Sequence, residues 1–214
     1  MNKTVCHYGI GMIAAALLCA GCSSTPTERF YTLAPVASSS MQTVSTAQPR
    51  YSVAIGPVRV PDTVDRPQMV VREGPNRVEI LEQQRWAGPL RSEIAHALAT
   101  GVGAQLADAQ VSVSDSQAGR SASYRVAVDI ERFDATLNDS VSLQALWTIR
   151  QQGGDALRSG RFTVSEPTGP GGYDAIAAAY ARALAAMSGQ LAEGLRAAGA
   201  GSNALGMRYT NPNP

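Results

Sequence analysis

The stretch that decides the fold runs from residue 140 to 150, SVSLQALWTIR, and alternates polar with apolar side chains. Such alternation predicts a strand with one buried and one solvated face, the habit of antiparallel sheet. Residues 123–133 and 157–164 show comparable strand patterns on either side of it. We therefore expect a three-stranded meander covered by helices on one side only. The side chains expected on the buried face of the central strand are Val141, Leu143, Ala145, Trp147 and Ile149.

Two long amphipathic helices are predicted around this meander. Residues 173–198, YDAIAAAYARALAAMSGQLAEGLRAA, place their large apolar side chains within an arc of about 100°. This helix is expected to end at Gly199 in a C-cap position. An earlier helix is expected to begin around Arg85–Pro89, because apolar residues then recur every four positions. That apolar stripe consists of Leu90, Ile94, Leu98, Val102 and Leu106.

Shorter strands are predicted before and between these elements, at residues 30–33, 51–60 and 111–113, together with a hairpin of residues 68–72 and 77–81. The fold class expected is α+β, with a mixed, largely antiparallel sheet and two long helices in a single domain. The domain is expected to span residues 50–199. A tether of residues 22–49, containing a short strand at 29–33 and a linker, precedes it, and a flexible tail of residues 200–214 follows.

The chain begins with a secretory signal pattern. Lys3 is followed by an apolar run over residues 10–20 and by small residues before Cys22. As a helix this run spans only about 17 Å, short of the roughly 30 Å bilayer core. The junction Ala20-Gly21-Cys22 resembles a bacterial lipobox, although Cys19 stands where an aliphatic residue is usual. We expect residues 1–21 to be removed and Cys22 to be acylated; an ordinary secreted protein cut near Gly21 is the alternative.

Composition excludes several functions for the mature chain. The cysteines are Cys6, Cys19 and Cys22, so no disulfide or cysteine nucleophile is expected beyond the signal. Lys3 is the only lysine, which leaves 17 arginines against 17 acidic residues and argues against nucleic-acid binding. The single remaining histidine, His96, is placed in solvent by the helix pattern. We expect no metal site, no cofactor and no enzymatic activity.

Two further groups favour ordinary structural interpretations. Asp129 and Glu131 share one strand face and could mimic a glycosidase pair, but a solvated face with cross-strand ion pairs is the favoured interpretation. The run Gly169-Pro170-Gly171-Gly172 could cradle an anion before a helix. It lacks the lysine and hydroxyl residue of a phosphate-binding loop, so a flexible connection is favoured.

The residues left for a partner are Asp65, Arg66, Pro67, Arg85 and Trp86. Arginine and tryptophan are enriched at the centres of protein interfaces. Trp86 lies at the margin of the first helix's apolar stripe, so it either closes the core or contacts a partner.

These segments, in their order, resemble the ABC-type transport auxiliary lipoproteins, the PqiC-like outer-membrane lipoproteins among them. The resemblance rests on Cys22 with its short tether, Phe30-Tyr31-Thr32-Leu33, Ile55-Gly56-Pro57-Val58, Asp65-Arg66-Pro67-Gln68 and Arg85-Trp86-Ala87-Gly88-Pro89-Leu90. Gly88 departs from the acidic residue common in that family.

The resemblance implies a fold similar to the amino-terminal domain of TolB and a non-enzymatic periplasmic role at the outer membrane. The partners implied are an ABC permease, its ATPase and a subunit with a mammalian-cell-entry domain, which together move lipids or other hydrophobic compounds. A homo-oligomeric ring is a further expectation. The alternative function is a periplasmic lipid carrier with an apolar cavity of its own between sheet and helices.

Overall fold

The computed structural model describes residues 27–33 and 49–206, with side chains described as far as Gly199. The predicted signal, Cys22 and the linker at 34–48 lie outside the described residues, as do residues 207–214. The strands are β1 (Arg29–Tyr31), β2 (Tyr51–Arg59), β3 (Gln68–Gly74), β4 (Arg77–Trp86), β5 (Ala109–Val113), β6 (Tyr124–Ala135), β7 (Ser140–Gln151) and β8 (Ala156–Pro167). The helices are α1 (Leu90–Gln105), α2 (Gln117–Arg120) and α3 (Gly172–Gly206).

The strands form two sheets. A five-stranded sheet has the order β5-β2-β6-β7-β8, in which β2 is parallel to both neighbours and the β6–β7–β8 meander is antiparallel. A three-stranded sheet has the order β1-β4-β3, with β1 parallel and β3 antiparallel to β4. The α+β class and the mixed pairing are confirmed, but the expectation of a single sheet is wrong. In the second sheet, β4 continues past Leu81 to Trp86 and is paired along both edges, with β3 and with β1.

The two long helices cover one face of the five-stranded sheet, as the alternation predicts. α1 packs on β2 and β5, α3 packs on β7 and β8, and the helices also contact each other. The side chains between sheet and helices are essentially inaccessible to solvent, and the opposite face carries exposed Asp129, Leu146 and Arg161. Within the core between sheet and helices lie Ile55, Val126, Leu143, Ile149, Leu98, Leu184, Met187 and Leu191.

Two helix boundaries differ from the sequence expectation. α1 begins at Leu90, after Pro89, because Arg85 and Trp86 pair with β1 as strand residues. α3 continues through Gly199 to Gly206, so residues 200–206 of the predicted tail are helical. Gly199 does not take the left-handed conformation that a C-cap glycine needs. One glycine costs a helix only about 1 kcal/mol, and the alanines around it are the best helix formers.

Gly101 fixes the distance between the two long helices. A Cβ at this position would lie 2.8 Å from the Ser188 Cβ of α3 and closer still to the Ser188 Oγ. Ser188 is fully buried and its hydroxyl donates to the Leu184 carbonyl at 2.9 Å, so it has little room to move. The glycine that weakens α1 as an isolated helix is therefore the residue that lets α1 approach α3.

We predict opposite effects for two alanine substitutions that are two positions apart. Gly101→Ala should lower the free energy of unfolding by about 1–3 kcal/mol, the usual cost of overpacking a core. Gly103→Ala should raise it by up to about 1 kcal/mol, since its Cβ would meet Val111 at an ordinary 3.7 Å and the helix gains propensity. Urea denaturation of both variants measures the difference. Equal shifts would show that the α1–α3 contact does not depend on Gly101.

Candidate docking surface

The loop between β2 and β3 is held by its own backbone. The Val64 and Asp65 amides donate to the Pro61 carbonyl at 3.0 and 3.2 Å, and the Arg66 amide donates to the Val64 carbonyl at 2.8 Å. Val64 itself is buried, which anchors the loop to the core. A loop tied in this way presents residues 65–67 in a fixed conformation.

The same loop is joined to the end of β4 and to the start of α1. The Trp86 amide donates to the Pro67 carbonyl at 2.7 Å, and Asp65 forms an ion pair with Arg91 on the first turn of α1. In the three-stranded sheet Arg85 lies opposite Gln68, the residue after Pro67. The structure therefore brings all five predicted partner residues to one corner of the molecule.

β1 is attached to this corner as well. Its Tyr31 carbonyl accepts from the Ala87 amide at 2.8 Å, just before α1. Two residues later the Leu33 amide donates to Glu93 Oε2 at 3.2 Å. Tyr31 and Leu33 are both buried. Segments that are far apart in the sequence are thus joined at this corner by hydrogen bonds of their main chains.

Within the corner the predicted residues have different environments. Asp65 and Arg85 are half-buried and ion-paired, Arg85 with Glu28 at 2.8 Å. Pro67 is exposed. Arg66 is half-buried, and its Nε is shielded from solvent without a hydrogen-bond partner among the described residues. Asp65 and Arg85 therefore hold the corner together, whereas Arg66 and Pro67 remain available for contact with a partner.

Trp86 belongs to the core. Only 4% of it is exposed, and its ring meets Phe133 edge-on at 6.3 Å and Tyr180 at 6.2 Å between centroids. Phe133 and Tyr180 stack in parallel at 3.8 Å. Core closure is therefore the correct one of the two interpretations of Trp86. The sequence gives no sign that Phe133 and Tyr180 complete this cluster, because they come from the other sheet and from α3.

Tyr180 carries an unusual polar group into this cluster. Its hydroxyl is buried and finds no hydrogen-bond partner among the residues that the structure describes. Burial, and to a smaller extent the charge of Asp134, raises the pKa of Tyr180 well above its ordinary value. The ring is thus kept for its packing, and the hydroxyl opposes stability.

The candidate catalytic residues are not assembled into a reactive site within the described part of the chain. His96 is exposed and borders a depression of about 150 Å³ with Ser114 and Asp115, but no hydrogen bond links it to either. Glu131 forms an ion pair with Arg161 at 2.8 Å, while Asp129 is exposed. The described residues contain no group of histidine, cysteine and acidic side chains able to hold a metal ion.

Two further features concern the glycine-rich loop before α3 and the lengths of the helices. Gly169, Gly171 and Gly172 have positive φ angles of 65°, 153° and 62°, consistent with a tight connection into the helix. Among residues 27–33 and 49–206, no helix has the length and apolar character needed to cross a bilayer.

Comparison with known proteins now identifies the family. The family model of the ABC-type transport auxiliary lipoprotein component matches residues 31–192. This range includes the five predicted partner residues, whose corner of the molecule we call the docking corner. The chain belongs to this family. The resemblance inferred from the ordered motifs is therefore confirmed, and the family is described as an auxiliary lipoprotein component of ABC-type transport.

Two solved structures share the fold of this chain. One uncharacterised protein is 19% identical and has a TM-score of 0.65, covering 79% of this chain and 99% of its own. A protein from Xanthomonas campestris is 18% identical with a TM-score of 0.62, covering 82% and 98%. A PelC dodecamer from Paraburkholderia phytofirmans is more distant, with a TM-score of 0.39, 12% identity and coverage of 65% and 87%. No curated protein matches the chain.

We predict that Tyr180→Phe stabilises the folded chain. Removing an unpaired buried hydroxyl while keeping the ring should raise the free energy of unfolding at neutral pH by about 1 kcal/mol. The effect should grow above pH 10. There the unfolded tyrosine ionises while the buried one, with its raised pKa, stays neutral, so the wild-type chain loses stability as pH rises.

Chemical denaturation between pH 7 and pH 11 measures both effects. The chain suits the experiment because Lys3 is its only lysine, so tyrosines dominate titration in this range. Trp86→Ala is the contrasting variant and should cost about 3–5 kcal/mol. A Tyr180→Phe protein less stable than the wild type would show that the hydroxyl has a partner.

Proposed function

We propose that this chain is a periplasmic lipoprotein that is held on the outer membrane by acylated Cys22 and docks a mammalian-cell-entry-type subunit of an ABC transport system for lipids or other hydrophobic compounds. It performs no covalent chemistry. Its task is to hold the docking corner at a fixed place and orientation. The permease and ATPase of the system act in the inner membrane, and the docked subunit connects the two membranes.

The observation that carries this proposal is Arg66 on its fixed loop. The neighbouring cations Arg85 and Arg91 are each paired with an acidic residue, whereas Arg66 has no ion pair among the described residues and keeps a shielded Nε donor unused. Because the loop is already ordered by backbone bonds, a partner would lose little entropy in ordering it. An ordered arginine with an unused donor resembles the anchor residues of protein interfaces, which fill a complementary acidic or carbonyl-lined pocket.

The alternative function, a lipid carrier, requires an apolar cavity between sheet and helices. In the structure that space contains the packed side chains of Ile149, Leu184 and Met187, each at most 1% exposed. The larger of the two depressions described, about 270 Å³, lies instead on the helix-free face beside Arg59, Asp129 and Leu146. The packing therefore favours docking over carriage.

We predict that Arg66→Ala weakens docking without unfolding the protein. A fully used arginine anchor corresponds to about 2 kcal/mol or more, roughly a thirtyfold loss of affinity. Arg66→Lys should recover part of it, since lysine keeps the charge but not the planar fork. Arg158→Ala, an exposed arginine on the edge strand β8, is the matched control.

The measurement is a pull-down with the full chain from envelope extracts, in which the captured subunit is identified by mass spectrometry, followed by titration with that subunit. Equal capture by the wild type and by Arg66→Ala would show that Arg66 is not part of the interface. Capture of no transporter subunit by a folded bait would refute docking. Lipid extracted from the purified protein would instead support the carrier.

The anchor is tested separately. We predict that Cys22→Ser releases the protein into the soluble periplasmic fraction, because serine has no sulfur to form the thioether that carries the diacylglyceryl group. Cys19→Leu, which places the usual aliphatic residue in the lipobox, should leave attachment unchanged or raise the processed fraction. Cell fractionation and mass measurement of the amino-terminal peptide give the result. Membrane attachment that persists in Cys22→Ser contradicts the assignment.

A further inference from the structure

The three-stranded sheet exposes apolar side chains on the face turned away from the core. Phe30 on β1 is 61% exposed, and Val78 and Ile80 on β4 are 47% and 41% exposed. The opposite face of the same sheet carries buried Tyr31 and Leu81. We call Phe30, Val78 and Ile80 the apolar patch. Groups of exposed apolar side chains are a common feature of interaction surfaces.

Strand register places the members of the patch on two neighbouring strands. Ile80 lies opposite Val70, and Arg85, the neighbour of Phe30, lies opposite Gln68. Val78 and Ile80 are two positions apart on β4, a step of about 7 Å. The register shifts between Gln68 and Met69, so residues 82–84 of β4 lie between Ile80 and Arg85. Phe30, opposite Arg85 on β1, therefore lies farther along the same face of the sheet.

The direction of β1 connects the patch to the predicted anchor. β1 runs parallel to β4, with Arg29 opposite Gln84 and Tyr31 opposite Trp86. The chain that precedes Arg29 therefore enters from the side of the sheet where Ile80 and Val78 lie. From Cys22 to Arg29 there are seven steps, at most about 25 Å when fully extended. Acylated Cys22 would thus hold this end of the sheet within about 25 Å of the bilayer surface.

The arginines beside Phe30 and Val78 are ion-paired, whereas Glu82, two positions from Ile80, accepts a hydrogen bond from Gln68. Arg85 is paired with Glu28 at 2.8 Å, and Arg77 is paired with Glu73 at 2.7 Å. The patch consequently presents apolar side chains without an excess of cations that would attract anionic lipid. A surface of this kind suits contact with the apolar boundary of a phospholipid bilayer through burial of area rather than through charge.

We propose that the apolar patch is a membrane-contact surface that seats the domain on the same phospholipid bilayer as acylated Cys22. This inference rests on the lipidation in the proposed function. A lipid chain alone leaves a domain free to rotate about its tether, whereas a second contact near the tether fixes its orientation. The patch therefore determines which way the docking corner faces when the transporter subunit approaches.

Site-specific labelling of the full-length lipoprotein tests the proposal. Once Cys22 is acylated and the signal is removed, Ile80→Cys supplies the only free thiol in the mature chain. The purified lipoprotein, labelled there with the fluorophore NBD, is reconstituted into phosphatidylethanolamine–phosphatidylglycerol vesicles with and without nitroxide-bearing phospholipid. Val78→Cys is a second patch position. Ser159→Cys, exposed on the helix-free face of β8, is the control.

We expect the nitroxide lipid to reduce NBD fluorescence about twofold or more at positions 80 and 78 and to leave position 159 essentially unchanged. A label at position 80 that is quenched by aqueous iodide but not by nitroxide lipid would overturn the proposal. Shielding from both quenchers, together with self-association of the protein, would also overturn it and assign the face to a second copy of the chain.

Acylation of Cys22 is measured in the same samples. Flotation with the vesicles and the mass of the amino-terminal peptide report acylation independently of the label. Protein that carries no acyl chain and does not float refutes the lipidation, and the membrane-contact proposal fails with it. Protein that floats but shows no nitroxide quenching at positions 80 and 78 refutes the membrane contact alone.

Discussion

The contact among Trp86, Phe133 and Tyr180 is the constraint on which the rest of the structure depends. Each ring comes from a different part of the molecule: Trp86 from the three-stranded sheet, Phe133 from the five-stranded sheet and Tyr180 from α3. Aromatic side chains contribute large buried areas and prefer defined relative orientations. Their meeting fixes the small sheet against the large one, and with it the loop that carries Arg66.

Much of the fold was predictable from sequence because the buried side chains of its strands and helices recur at regular spacings. The alternation around Val141 to Ile149 placed the meander correctly, and the four-residue spacing from Leu90 to Leu106 placed α1. In both cases burial on one face is written into neighbouring positions. Sequence alone could not show that β4 belongs to a separate sheet. Its pairing with β1 joins Arg29 to Gln84, residues that only the folded chain brings together.

The candidate site was predictable in part for the same reason. The sequence singled out Asp65, Arg66, Pro67, Arg85 and Trp86, and the structure gathers them at one corner. Their individual roles depend on distant partners such as Glu28 and Arg91, which no spacing reveals. Trp86 shows this most directly, since its burial requires Phe133 and Tyr180. Gly101 is a comparable case, because helix propensity counts it as a weakness and only the approach of Ser188 shows its use.

The parallel pairing of β1 with β4 also has a mechanical consequence. Tension applied to Arg29 along the strand axis loads the β1–β4 hydrogen bonds together in shear instead of opening them one after another. Behind them, buried Tyr31 and Leu33 would have to be drawn out of the core before β1 could slide. A strand of three residues can in this way resist pulling forces that would readily peel a strand of the same length from its end.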